Sequence, residues 1–305
     1  MSPENPVIDR FSAVAADTAG SVSVVWVPGR PAETEVVVTA GARLASVRGE
    51  SGAEVYLVSS SHPEPHAQRL LDLWERDPDR FVPPRETQGS FLLIDPRRGE
   101  LVYGRDRTAV HHLYTAWHGD TLLLSTHIQP FVGTVCTELD PIGMQLYIFA
   151  CTTPFMLYQG LFATLPGQWK RLGREATPDS VDLFWGETFW QIEEVEVPGD
   201  YDEATRRYAD LLTECVEDNL HGSSAGLFLS GGSDSASVLG ALMRLGVSQV
   251  VAVHATTDGQ TLGDRELVER LDETFSFDLH WIRPDHWDQP APPVRRRRPR
   301  LRRRR

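Results

Sequence analysis

Cysteine is scarce in this 305-residue chain. Its three residues, Cys136, Cys151 and Cys215, stand far apart and form no C-x-x-C pair. That excludes a disulfide framework and a cysteine zinc site as the organising device. Long apolar runs are missing too, and none approaches the roughly 20 residues that span a bilayer. The opening Met1-Ser2-Pro3-Glu4 has no basic stretch ahead of an apolar core, so a soluble, cytoplasmic protein with no membrane partner is expected. Basic residues are sparse over most of the length. The formal net charge of −13 combines 30 Lys and Arg with 43 Asp and Glu, yet nine arginines crowd into residues 295–305. Removing those nine leaves 21 basic residues against 43 acidic, a net of −22. A body that acidic argues against nucleic acid as a partner for a broad surface.

What is present divides into a β-rich half and an alternating half. Short strands are predicted over Val22–Val27, Glu35–Thr39, Glu54–Val58, Ser90–Ile94, Leu101–Tyr103, His112–Ala116 and Thr121–Ser125, and Phe11–Ala15 also reads as strand-like. His118-Gly119-Asp120 makes a hairpin connection. Leu70, Leu71 and Trp74 place a helix over Gln68–Glu75, and Asp140 with Pro141 starts another that runs to Phe149. Trp185–Pro198 reads as an inter-domain connection. Phe184, Trp185, Phe189 and Trp190 there are expected to pack the domain interface. A helix over Tyr201–Leu220 follows, with Tyr208, Leu211, Leu212 and Cys215 on its apolar stripe. Then come a strand at Ala225–Leu229, a helix at Ala236–Leu245, a strand at Val250–His254, a helix at Asp264–Thr274 and a strand at Phe277–Ile282. This β–α–β–α–β order predicts a parallel sheet with right-handed crossovers.

Between the first strand and helix of that alternation lies Ser230-Gly231-Gly232-Ser233-Asp234-Ser235. Two glycines let backbone approach an anion, and a helix N-terminus offers unpaired N–H groups and a positive dipole end. No Lys follows the glycines, so transfer of a γ-phosphate is not the natural chemistry. Taken alone, the same residues also read as a Gly-Ser turn before a helix capped by Asp234 or Ser235. His111, His112, His127 and His254 read as structural side chains, not as metal ligands.

In this context SGGSDS resembles the SGGxDS signature of the ATP pyrophosphatases, which cleave ATP to AMP and pyrophosphate. Upstream, Gly89-Ser90-Phe91-Leu92-Leu93-Ile94-Asp95 resembles the G-x-F-A-x-x-x-x-D strand of class II glutamine amidotransferase domains. Gly104-Arg105-Asp106-Arg107 followed by Leu113-Tyr114, Ser125-Thr126-His127, and Gly160-Leu161-Phe162 with Leu165-Pro166-Gly167 are similar to further segments of that domain. Gly263-Asp264-Arg265-Glu266 and Phe277-Asp278-Leu279-His280 resemble segments of the synthetases. The order over roughly residues 50–285 resembles the asparagine synthase family, including β-lactam synthetase and the lasso-peptide cyclases.

The resemblance implies an α/β protein in three parts. Residues 1–195 would form an Ntn-type αββα sandwich, 196–288 part of a parallel-sheet ATP-pyrophosphatase domain, and 289–305 a disordered Pro/Arg-rich tail. It implies ATP and Mg²⁺ as cofactors, with adenine flanked by the backbones near Phe228 and Val253. Ser230, Gly231, Gly232, Ser233, Asp234 and Ser235 would hold the phosphates, with Asp234 beside Mg²⁺. The implied reaction activates a small-molecule or peptide carboxylate as acyl-AMP and joins it to an amine. The implied partners are that substrate and, in the cyclases, a precursor peptide; a homodimer is left open.

Departures qualify this. The family's Met-Cys-Gly start and its nucleophilic cysteine have no counterpart, Ala53-Glu54-Val55-Tyr56-Leu57 stands for G-E-I-Y-N, and Val110 and His112 replace Gly and Pro of the R-D segment. Glutaminase activity is therefore not expected. The family's later G-x-G-x-D-E loop has no counterpart before Arg305, and after Asp288 the composition turns to Pro and Arg. The leading expectation is a truncated or frame-shifted synthetase, with a solvated tail or a nucleic-acid-binding arm as alternatives. The functional alternative is a catalytically inactive remnant that binds nucleotide or a partner.

Overall fold

The computed structural model describes residues 5–39, 44–59, 62–108, 110–148, 156–193, 199–220, 222–255 and 262–282. Cys151, the side chain of Asp264 and the tail at 289–305 lie outside them. Cα packing divides the chain into two compact units, Met1–Glu194 and Val195–Arg305.

The first unit holds two antiparallel sheets. One runs β2 (Glu35–Val38), β1 (Val22–Trp26), β8 (Thr121–Ser125), β7 (Tyr114–His118), β9 (Phe162–Ala163). The other runs β11 (Glu187–Thr188), β10 (Gln168–Leu172), β6 (Glu100–Arg105), β5 (Ser90–Asp95), β4 (Glu54–Val58), β3 (Leu44–Arg48). The period-2 alternation of side chains sorts each strand between two cores. Val22, Val24, Trp26, Leu122 and Leu124 meet Tyr56, Val58, Leu92, Ile94, Leu101 and Tyr103 between the sheets. Their neighbours Val55, Leu57, Phe91 and Leu93 face outward onto helix α2 (Pro63–Arg76), which buries Ala67, Leu70, Leu71 and Trp74 at helical spacing. On the opposite side Val25 and Leu123 pack with Phe11 of helix α1 (Pro6–Asp17) and with Phe131. The result is helix, sheet, sheet, helix.

The strand-like reading of Phe11–Ala15 is overturned, since these residues lie inside α1. Asn5 accepts a hydrogen bond from the Val7 amide at 3.1 Å, Pro6 occupies the first turn, and the i, i+4 pair Phe11 and Ala15 faces the sheet. Helix α3 (Pro141–Ile148) starts as expected, with Asp140 accepting from the Gly143 amide at 2.8 Å. The strand predicted from His112 starts only at Tyr114, because His111 and His112 belong to the segment that Arg105 fastens down. The connection predicted from Trp185 also begins too early. Glu187–Thr188 pairs with β10, while Phe189 and Trp190 pack in the α2 core, so these aromatics serve the first unit itself.

The second unit is a parallel sheet in the order β12 (Ser224–Phe228), β13 (Gln249–Ala255), β14 (Asp278–Ile282). Helices α4 (Tyr201–Asn219), α5 (Ser233–Arg244) and α6 (Leu262–Thr274) accompany it. Leu229, Leu239, Leu242, Val250, Ala252 and Val268 form its core. The stripe expected on α4 is not buried. Tyr208, Leu211 and Cys215 are exposed, and contact with the core comes instead through Val216 and Leu220. Tyr208 and Leu212 line an open groove of about 660 Å³ shared with Met243 of α5 and Phe275.

Candidate functional site

β12 and β13 run in parallel register, with Phe228 opposite Val253 at their carboxyl ends. The last sheet-like contact is made by the Leu229 amide, which donates to the Val253 carbonyl at 2.9 Å. The chain then turns through Gly231, whose φ of +86° lies in the left-handed region where a Cβ is costly. Gly232 is the N-cap, and α5 begins at Ser233. Neither Asp234 nor Ser235 caps the helix, which corrects that reading of the turn. The cap position falls on a residue with no side chain, and both polar residues sit in the first turn.

Two serines stitch the loop. Ser230 Oγ accepts from the Gly232 amide at 3.2 Å, and Ser235 Oγ accepts from the Ser230 amide at 3.2 Å and lies 3.1 Å from Ser230 Oγ. Ser233 Oγ donates to Asp234 Oδ1 at 3.3 Å. Ser230, Gly232, Ser233 and Asp234 are exposed, Ser235 and Val253 half-buried, Gly231 buried. Phe228 is 84% exposed. All eight residues singled out in the sequence thus gather at the carboxyl end of the parallel sheet, where open α/β sheets bind ligands. The donor set suits a polyanion with a hard cation. Amides of a new helix turn lie beside the exposed carboxylate of Asp234, and Mg²⁺ is characteristically held by one or two carboxylates with phosphate oxygens completing its shell. Among the described residues no three His, Cys, Asp or Glu converge as a metal site.

The sequence offered His254 only as a structural side chain, without its place beside the loop. It is 1% exposed at the end of β13, its Nδ1 lies 2.6 Å from the Leu229 carbonyl, and its Nε2 is buried without a partner among the described residues. The signal was a lone polar residue in an apolar strand. Its partner lies 25 residues upstream and only the fold supplies it.

In the first unit, three of the segments that carry the resemblance meet. The Gly89 amide donates to Asp106 Oδ2 at 2.5 Å, the Asp106 amide donates back to the Gly89 carbonyl at 3.1 Å, and the Gly167 amide donates to the Asp106 carbonyl at 3.0 Å. Arg105, 2% exposed, donates to the carbonyls of His111 and Thr164 and lies 3.3 Å from His112 Nδ1. Burial lowers its guanidinium from the ordinary value. These contacts brace backbone and offer no nucleophile. Cys136 is buried, and desolvation pushes its thiol up to about 11. Sequence reasoning missed Lys170. Burial lowers its ammonium to about 8, and Nζ donates to the carbonyls of Asp182 and Trp185.

No helix among the described residues is long and apolar enough to cross a membrane. No family model matches the chain. Amidase chry2 of Gibberella zeae is 27% identical over 175 residues, covering 54% of this chain and 24% of that protein. The chain therefore spans about a quarter of the length of that curated relative. Among solved structures, an allosteric regulatory enzyme of purine biosynthesis aligns over 92% of this chain and 78% of its own, at 12% identity and a TM-score of 0.36. Glutamine phosphoribosylpyrophosphate amidotransferase from B. subtilis aligns over 92% and 79%, at 11% identity and a TM-score of 0.32. Over about half of its length this chain is similar in sequence to an amidase.

Proposed function

We propose that the chain is an ATP-dependent amide ligase of the asparagine synthase type whose second unit binds Mg·ATP. A substrate carboxylate displaces pyrophosphate from the α-phosphorus to give an acyl-adenylate, and an amine displaces AMP to give the amide. The observation that carries this reading is the passage β12–Ser230-Gly231-Gly232-Ser233-Asp234-Ser235–α5, a left-handed glycine feeding an uncapped helix N-terminus at the carboxyl end of a parallel sheet. Donors fixed there stabilise charge that grows on the departing pyrophosphate, a preorganised electrostatic contribution. Asp234 holds the cation, while Phe228 and Val253 flank the base. The first unit acts as a scaffold without glutaminase activity. Its described cysteine, Cys136, is buried with a thiol too weakly acidic to attack.

ATP–pyrophosphate exchange on the purified chain, across a panel of amino acids and peptide carboxylates, tests the reading. Acid-dependent exchange that Asp234→Ala abolishes, with the melting temperature unchanged, is the expected result. Mg·ATP binding without any exchange leaves the alternative of a nucleotide-binding remnant. Equal ATP affinity in parent and variant removes Asp234 from the site. Added glutamine is expected to yield no glutamate.

A further inference from the structure

We infer that His254 is the positioning residue of the loop, a side-chain clamp from the neighbouring strand that fixes where the chain leaves the sheet. The inference rests on the reading of Ser230–Ser235 as a polyanion site and assigns that site its support. Leu229, the last residue before the loop, is tied to β13 through both of its backbone polar groups. Its amide donates to the Val253 carbonyl at 2.9 Å, and its carbonyl lies 2.6 Å from Nδ1 of His254. A carbonyl only accepts, so Nδ1 carries a proton, and in the neutral tautomer with that proton Nε2 is a bare lone pair. Among the described residues no partner meets Nε2, and the imidazole is 1% exposed. The ring edge stands against Trp281 of β14, with centroids 4.9 Å apart and planes at 70°.

An unsatisfied buried acceptor costs free energy that an apolar residue at the same position would not. Val250 and Ala252, on the same face of β13, show what the core accepts there. The imidazole stands in that apolar row at a position level with the root of the loop. Clamping Leu229 holds the first loop amide and hydroxyl, those of Ser230, at a fixed height, and the Ser230–Ser235 and Ser230–Gly232 bonds pass that constraint to the first turn of α5. His254 touches no ligand in this arrangement and acts through Leu229.

His254→Asn and His254→Leu, made in the full chain, test this. Asn carries an amide nitrogen at the same number of bonds from Cα as Nδ1, whereas Leu carries no donor. Loss of one hydrogen bond predicts that Leu weakens Mg·ATP and inorganic pyrophosphate binding roughly three- to tenfold, and that Asn restores most of it. Hydrogen exchange without ligand is expected to accelerate by a similar factor at amides 230–235 in the Leu variant, with β13 and β14 unchanged. ¹⁵N signals of the labelled imidazole should report Nδ1 protonated and Nε2 bare. Unchanged affinity and exchange in His254→Leu overturns the inference, and so does the opposite tautomer. Equal damage from Asn and Leu, spread over the whole sheet, overturns it as well, because a core filler behaves so. If the parent binds neither ligand, the polyanion reading falls, and exchange and tautomer still decide the clamp.

Discussion

Gly231 concentrates the loop's demands on a single residue. At φ +86° an L side chain is strained by about 1–2 kcal/mol, and although Gly231 is itself buried, the exposed residues on either side, Ser230, Gly232, Ser233 and Asp234, let the loop relieve that by moving instead of unfolding the sheet. Gly231→Ala is therefore expected to lower Mg·ATP affinity roughly tenfold while the melting temperature hardly moves. Gly231→Asn should lose less, since Asn tolerates the left-handed region. Titration calorimetry with parallel melting curves checks both, and a large fall in melting temperature with unchanged affinity would place the strain in the core. Gly89 shows the contrasting case. Its φ is +110°, and a Cβ would stand 2.2 Å from the Val58 carbonyl between paired strands, so Gly89→Ala should destabilise the first unit without touching nucleotide binding. Cysteine behaviour follows from burial in the same way. A thiol reagent applied to folded protein should modify exposed Cys215 well before Cys136, whose buried thiol is pushed up to about 11.

Helix α2 is held to its sheet by more than its apolar stripe. Trp74, fully buried, donates from Nε1 to Asp95 Oδ2 at 2.9 Å, while Asp95 Oδ1 accepts from the amides of Arg97 and Arg98. Trp74→Phe keeps an aromatic ring but leaves a buried carboxylate oxygen without its donor. A loss of about 1–3 kcal/mol is expected in urea unfolding, with an unchanged denaturant slope. A cost well below that range would mean water replaces the indole. This element was legible in the sequence because Leu70, Leu71 and Trp74 keep the helical period, and β4 and β8 likewise followed from unbroken apolar runs. α1 was not, since Phe11-Ser12-Ala13-Val14-Ala15 satisfies both periods and only the Asn5–Pro6 start decides. β10 was missed because Lys170 and Arg171 make it look polar. The fold hides both charges, Lys170 on two carbonyls and Arg171 over the Trp74 ring at 5.0 Å with Glu100 at 2.8 Å. The candidate loop was readable because its chemistry is local, whereas the His254 clamp joins residues that only the parallel register brings together.

The first unit is expected to be acid-sensitive because of where its histidines lie. His66 on α2, His111 before β7 and His127 after β8 are half-buried, and desolvation lowers each imidazole below its ordinary value. Arg69 adds to the lowering at His66, and His127 and Arg105 add to it at His111; Asp106 opposes it at both, and Glu86 opposes it at His66. A folded value below the unfolded one means that the unfolded chain binds protons more tightly. Stability is then unaffected well above the unfolded value of about 6.5 and falls as pH drops through and below it. The two units have separate cores, so scanning calorimetry from pH 7.5 to 5.5 should show the transition of the first unit moving to lower temperature. Replacing His66, His111 and His127 together by Gln should flatten that movement, whatever it does to stability at pH 7.5. If the pH slope survives the triple replacement, carboxylates or His112, whose imidazole burial also lowers, govern the acid response of the first unit in place of these three.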